Sequence, residues 1–327
     1  MKKITLLLCL IAQLGFAQME TAKIYAETIQ EQDLKELLYV YASDYFQGRE
    51  TGTLGQKRAV TFLREFYQNR NITAANGTED YFQPMELTIK GNPVATENVV
   101  AIIEGSTKPE EYIVISSHLD HVGINDGKIY NGADDDGSGT VALLEIAEAF
   151  KEAAAEGKGP ARSIIFLHVS GEEKGLLGSR YYTDNPLYPL ANTVANLNID
   201  MVGRTDPKRE SQNRNYIYLI GSDRLSTELH QISEEANKAT INLELDYTYN
   251  AEDDPNRFYF RSDHYNFAKN NIPVIFYFNG THADYHKATD TVEKIEYDLL
   301  AQRAQLVFYT AWELANRKDR IVVDKAK

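Results

Sequence analysis

Ser116-Ser117-His118-Leu119-Asp120-His121 stands where a β-branched apolar run, Tyr112 to Ser116, gives out. Three acidic clusters occupy comparable places. Asp134-Asp135-Asp136 sits in a glycine-rich loop that opens an apolar helix, Glu172-Glu173 follows the apolar run Ser163 to Val169, and Asp200 closes the run Val194 to Ile199. A further run, Pro273 to Phe278, leads within a few residues to Asp284-Tyr285-His286. Carboxylates crowded at one edge repel and raise one another's pKa unless positive charge sits among them. A divalent metal supplies that charge, and zinc takes a histidine and carboxylate set. Two such ions, roughly 3.5–4 Å apart, need a bridging ligand, and a carboxylate has two oxygens to offer.

Each segment alone also has an ordinary reading. His118 could be a plain strand-end histidine, Asp134 or Asp136 could cap the helix that follows, and Glu172-Glu173 could be a solvated turn. Asp200 is harder to place, because a lone aspartate ending an apolar strand needs a partner. The shared placement of the segments is what argues for one site.

The elements that must position these residues alternate. Residues 20–47 and 56–69 read as helices separated by the turn Gly48-Arg49-Glu50-Thr51-Gly52. Strands are expected at Asn98–Ile103, Tyr112–Ser116, Ser163–Val169, Val194–Ile199 and Pro273–Phe278, each bounded by turn residues. The run Ser163–Val169 is apolar throughout, as when both faces of a strand are covered. Gly137 to Ala155 is a helix with Val141, Leu144, Ala147 and Phe150 on one face and Glu145, Glu148 and Glu152 on another. Tyr297 to Asn316 closes the chain as a helix. The expected fold class is α/β, a mixed, mostly parallel central sheet flanked by helices, with ligands gathered outside the carboxyl ends of its strands. Residues 203–261, with a strand at Tyr216–Ile220, a helix near 225–238 and the loop Asn250–Asn256, read as an excursion from that sheet bordering the site.

Residues 1–17 read as a signal peptide: Lys2 and Lys3, the apolar run Ile4 to Ile11, and small residues at Gly15 and Ala17. Export to the periplasm or medium follows, with residues 18–327 as one domain. Cys9, the single cysteine, leaves with the signal, so any metal is held by His, Asp and Glu. A formal charge of −14 argues against a nucleic-acid partner. Nothing after the signal approaches transmembrane length.

Taken in order, Ser-His-Leu-Asp-His, Gly-Ala-Asp-Asp-Asp-Gly-Ser-Gly, Gly-Glu-Glu-Lys-Gly-Leu-Leu-Gly-Ser, Asn-Ile-Asp-Met-Val-Gly, Arg-Ser-Asp-His and Asp-Tyr-His-Lys-Ala-Thr-Asp-Thr resemble the motifs of the M28 family of zinc aminopeptidases. The resemblance runs from about Leu37 to the last helix and includes the Gly48–Gly52 turn. It implies two zinc ions per chain, with Asp135 as the bridge, His118 and Asp200 on one ion, and Glu173 and His286 on the other. It implies Glu172 as general base, Asp120 as the carboxylate that fixes the His118 imidazole, Tyr285 as donor to the oxyanion, and a cis peptide between Asp135 and Asp136. The implied substrate is a peptide with a free N-terminus. His121, His264 and His282 are read as outside the ligand set. Arg261 is read as shaping the site or supporting it, or else contacting substrate. Rival readings are a single-zinc glutaminyl cyclase, a carboxypeptidase or dipeptidase of the same superfamily, and a non-catalytic peptide-binding protein.

Overall fold

The computed structural model describes residues 18–325, so the expected signal peptide and Cys9 lie outside the described residues. The chain opens with α1 (18–26), α2 (Glu31–Tyr41) and, after a 3-10 turn at Asp44–Arg49, α3 (Leu54–Asn69). Sequence alone suggested one helix over 20–47. It breaks after residue 26, where the Thr28 hydroxyl donates to the Tyr25 carbonyl at 2.7 Å and Ile29 turns wholly into the core. Gly48 closes the second break in a left-handed conformation (φ 66°), where a Cβ would run into the carbonyl oxygens of Gly123 and Tyr130.

The short β1 (Thr73–Ala74) precedes a long hairpin, β2 (Phe82–Ile89) and β3 (Asn92–Ile103). Next come β4 (Lys108–His118), the small ribbon β5 (Gly123–Asn125) and β6 (Lys128–Tyr130), and α4 (Gly139–Ala155). The chain continues through β7 (Arg162–Val169), α5 (Leu177–Asp184), β8 (Thr193–Ile199), β9 (Tyr216–Ile220) and α6 (Thr227–Ala239). It ends with β10 (Glu244–Asp246), α7 (His264–Ala268), β11 (Val274–Phe278) and α8 (Tyr297–Asn316).

One sheet runs β1-β3-β7-β4-β8-β11-β9-β10, with β2 paired to β3. Its centre, β7-β4-β8-β11, is parallel, and antiparallel strands flank it on both sides. The alternation along β4 divides the core: Ile113 and Ile115 pack with α4 and α8, while Val114 packs with α5 and α7. Such burial on both faces explains the unbroken apolar runs. Residues 203–261 do not leave the sheet as expected. They add β9, antiparallel to β11, and β10, and an aromatic cluster of Tyr216, Tyr218, Phe258, Phe276 and Phe278 packs with them.

Candidate metal centre

Parallel strands end together, so β4, β7 and β8 deliver His118, Glu172-Glu173 and Asp200 to one edge of the sheet. The Asp134–Asp136 loop enters from the start of α4, and His286 arrives from the loop after β11. His118 Nε2 lies 3.2 Å from Asp135 Oδ1 and 3.5 Å from Asp200 Oδ1. His286 Nε2 lies 3.0 Å from Asp135 Oδ2 and 3.3 Å from Glu173 Oε2. The five residues expected as ligands are therefore together, with Asp135 in the middle and one of its oxygens turned to each histidine.

The residues around them hold these positions. Asp136 is wholly buried and accepts from the backbone N–H of His118 (3.2 Å), Gly139 (2.9 Å) and Met201 (3.0 Å). It thereby ties the end of β4, the start of α4 and the turn after β8. Asp134 accepts from Gly203 N–H at 2.7 Å and from the Ser138 hydroxyl at 2.9 Å, and meets His282 Nε2 at 3.0 Å. Asp290 accepts from the N–H groups of Asp134 and Asp135 at 3.0 and 3.2 Å. The peptide between Asp135 and Asp136 is cis. Asp200 is aimed by a chain of buried side chains: Asn196 to Ser116, Ser116 to Asn198, Asn198 to Ser262, and Ser262 to Asp200 Oδ2 at 2.6 Å.

Asp120 acts differently from the expectation. Its backbone carbonyl, 3.0 Å from His118 Nδ1, holds the imidazole, whereas the nearer carboxylate oxygen is 4.0 Å away. The carboxylate is engaged elsewhere, accepting from Thr51 Oγ1 at 2.7 Å and from Glu172 N–H at 3.2 Å. Asp120 thus fixes the Glu172 loop with its side chain and the His118 ring with its main chain. Arg49, 1 % exposed, reaches from the Gly48–Gly52 turn to the carbonyls of Leu119, Asn131 and Gly132. That clamp ties the upstream Gly48–Gly52 turn to the loops that border the site.

Charge is concentrated here. Burial pushes the Glu172 carboxyl well above the usual carboxylate range, His118 opposes that, and Glu173 and Asp200 add to it. Burial also raises Asp135 and Glu173, but the neighbouring histidines outweigh it and hold Asp135 well below the usual range and Glu173 at about 2. Burial disfavours charge on His286, yet Asp135 and Glu173 lift it to about 10.

Sequence reasoning placed His121 outside the ligand set. The structure puts it fully buried beside Glu173, its Nδ1 2.8 Å from Glu173 Oε1 and 3.8 Å from Asp135 Oδ2. The only signal for it was the second histidine of Ser-His-Leu-Asp-His, three residues past His118, which spacing alone does not distinguish from a core histidine. Two clusters of possible ligand atoms result, His118-Asp135-Asp200 and His121-Asp135-Glu173, the atoms of each lying within 4.8 Å of one another, and Asp135 belongs to both. His282 instead pairs with Asp134, and His264 stacks on Phe276 at 4.8 Å.

Residues 98–311, more than half of the chain, match the sequence profile of peptidase family M28. The chain belongs to that family. Among its relatives, it is 27 % identical over 287 residues to a "Probable zinc metalloprotease" of Pyricularia oryzae, covering 72 % of this chain and 55 % of that protein. It is also 27 % identical over 301 residues to "Leucine aminopeptidase 1" of Penicillium rubens, covering 88 % of this chain and 73 % of the relative. The chain therefore spans about half the length of the first of these. The LapA aminopeptidase of Legionella pneumophila shares the fold with a TM-score of 0.72 at 19 % identity, covering 92 % of this chain and 76 % of that one. The glutaminyl cyclase of Porphyromonas gingivalis shares it with a TM-score of 0.70 at 19 % identity, covering 86 % and 97 %. Both likenesses are of fold.

The residues present fit the zinc that the family implies. Asp135 Oδ2 and Glu173 Oε1 are buried and accept no aligned hydrogen bond, and neither ring nitrogen of His121 makes one. Buried polar atoms are rarely left so, and a cation among them removes the anomaly. Ligands at about 2.0–2.1 Å on the corners of a tetrahedron stand roughly 3.3 Å apart. The separations of 3.0 to 3.5 Å made by His118 and His286 match that edge. The adjoining cavity is walled by Glu172, Met201, Phe258, Arg261, Phe276 and Tyr285 among others.

Proposed function

We propose that this chain is an exported aminopeptidase that works with two zinc ions and removes N-terminal residues from peptides. The observation that carries the reading is Asp135, whose two oxygens face two separate donor groups. His118 and Asp200 would hold one ion and Glu173 and His286 the other, with Asp135 shared and His121 beside the second. Bound there, the ions would polarise a scissile carbonyl and bring the pKa of a water from 15.7 to about 7.

The remaining steps belong to the chain's own side chains. Glu172 takes the proton of the attacking water and hands it to the leaving amine. The N–H contact to Asp120 keeps its loop in place. Tyr285 shares the cavity with Glu172, and burial followed by the charge of Asp135 raises its pKa, so the phenol stays protonated and donates to the tetrahedral oxygen. The carboxylates of Asp135, Asp200 and Glu172 attract a free α-amine, while Phe258, Phe276, Phe278 and Met201 receive an apolar first side chain.

Glu172→Gln is expected to retain two zinc per chain and lose about 10²–10⁴ in kcat. Metal analysis and turnover of a free-amine peptide beside its N-blocked counterpart test the whole reading. Equal cleavage of the blocked peptide would overturn the aminopeptidase assignment. One zinc per chain with cyclisation of N-terminal glutamine would replace it with the cyclase.

A further inference from the structure

Away from this site, α1, α2 and α4 enclose a groove of about 660 Å³. Six carboxylates line it: Glu27, Asp33, Glu36, Glu145, Glu148 and Glu152. Among the described residues, the one cation in its wall is Arg70, already paired with Glu148 and stacked on Phe66 at 3.6 Å. Glu145 is the anomaly. It projects from the middle of α4, is 5 % exposed, and accepts no hydrogen bond from any described residue. Burial, then Glu148 and Asp33, push its carboxyl to about 8. A largely buried carboxyl that faces a groove of like charges points to a positively charged occupant.

The form of that occupant follows from spacing. Among the described residues, the groups close enough to chelate a metal ion all lie at the Asp135 site, and none lies in this groove. Its carboxylates lie on two helices, α2 and α4, and on the turn after α1, and they suit charges strung along a chain. The walls between them include Ile24 and Val40, 63 % and 50 % exposed, which offer contact to methylene groups. The volume is in the range of small-ligand sites.

We propose that this groove binds an aliphatic ammonium chain, with Glu145 as the buried anchor and Glu27, Asp33 and Glu152 around it. A linear polyamine and the lysine side chains of an extended peptide share this chemistry. The site is independent of the reading of the metal centre.

The test is calorimetric titration of the whole zinc-loaded chain with spermine, with tetralysine and with calcium chloride. Saturable one-to-one binding of spermine or tetralysine is expected, and the tighter of the two identifies the source. It should weaken at least tenfold in Glu145→Gln and further in the Glu145→Gln, Glu152→Gln double variant, with peptide hydrolysis unchanged in both. Raising salt from 50 to 500 mM should weaken it about tenfold, since exposed charges are then screened. Three outcomes overturn the proposal: no saturable binding of either amine, calcium binding as tight as spermine's, or spermine binding that Glu145→Gln leaves intact. A thermal melt of each variant without ligand establishes that the groove is folded.

Discussion

The metal centre and the groove under α1 and α2 are both lined by carboxylates, yet they are built on opposite plans. At the centre, Asp136, Asp134 and Asp290 are each held by donors of the chain. Asp136 takes three backbone N–H groups, Asp134 takes Gly203 and Ser138, and Asp290 takes two N–H groups. The groove has no such scaffold: Glu145 hangs from a regular helix, and its neighbours add repulsion. Composition does not separate the two regions. What does is where backbone donors point, since loops at strand ends leave N–H groups free to meet carboxylates and a helix interior uses them all.

The strongest way to break this contrast is to remove the scaffold where it is densest. Asp136→Ala leaves three buried N–H groups without an acceptor, and losses of this kind run to about 1–3 kcal/mol each without adding fully. A total near 3–5 kcal/mol is expected, read as the fall in urea unfolding free energy of the metal-free protein. Zinc content should fall with it, because the same residue orders the turns that carry His118 and Asp200. A loss under 1 kcal/mol would show that these donors are satisfied by water, and the plan of the centre would need redrawing.

Much of this centre was legible before the fold. The strand runs Ser163–Val169 and Val194–Ile199 announced their own burial, and their acidic endings located Glu172, Glu173 and Asp200. What was not legible depends on partners distant in the chain. Nothing at Ser262 says that it will donate to Asp200, and nothing at Arg49 says that its guanidinium will clamp carbonyls about 70 to 83 positions away. The β2–β3 hairpin was half missed because its first strand alternates buried and exposed residues around Pro84 and lies at the rim of the sheet. The break in the first helix was missed for a related reason: no glycine or proline marks it, and the burial of Ile29 decides it.

Ser262 sharpens the comparison at smaller scale. It touches Asp200 and Asn198 only through hydrogen bonds, so Ser262→Ala removes an orienting contact and leaves the fold intact. Partners of metal ligands contribute about 10–100-fold in affinity. That range is expected for the affinity for zinc, measured by competition with a chelator, and Thr at this position should recover part of it. An unchanged affinity would remove the buried polar chain from the description of the site.

The mildest test sits in the groove, and its sign runs against intuition. Glu145 has an ordinary pKa of 4.5 in the unfolded chain and about 8 when folded, raised first by burial and then by Glu148 and Asp33, with Arg70 opposing and Glu152 adding. Below the lower value it is protonated in both states and contributes nothing to pH dependence. As pH climbs between the two values, the folded state keeps a proton that the unfolded state releases, so stability falls; above the upper value the loss is complete. Glu145→Gln cannot ionise. It should match the parent near pH 4 and exceed it at pH 9 by about 1–2 kcal/mol, the scale of an unpartnered buried group. Unfolding curves at the two pH values, taken without amines, measure the difference. Saturating spermine at pH 9 should then narrow it, because the ligand binds the parent's charged groove more tightly than the variant's. A variant less stable than the parent at pH 9 would mean that Glu145 already has a partner, and that the two regions share one plan.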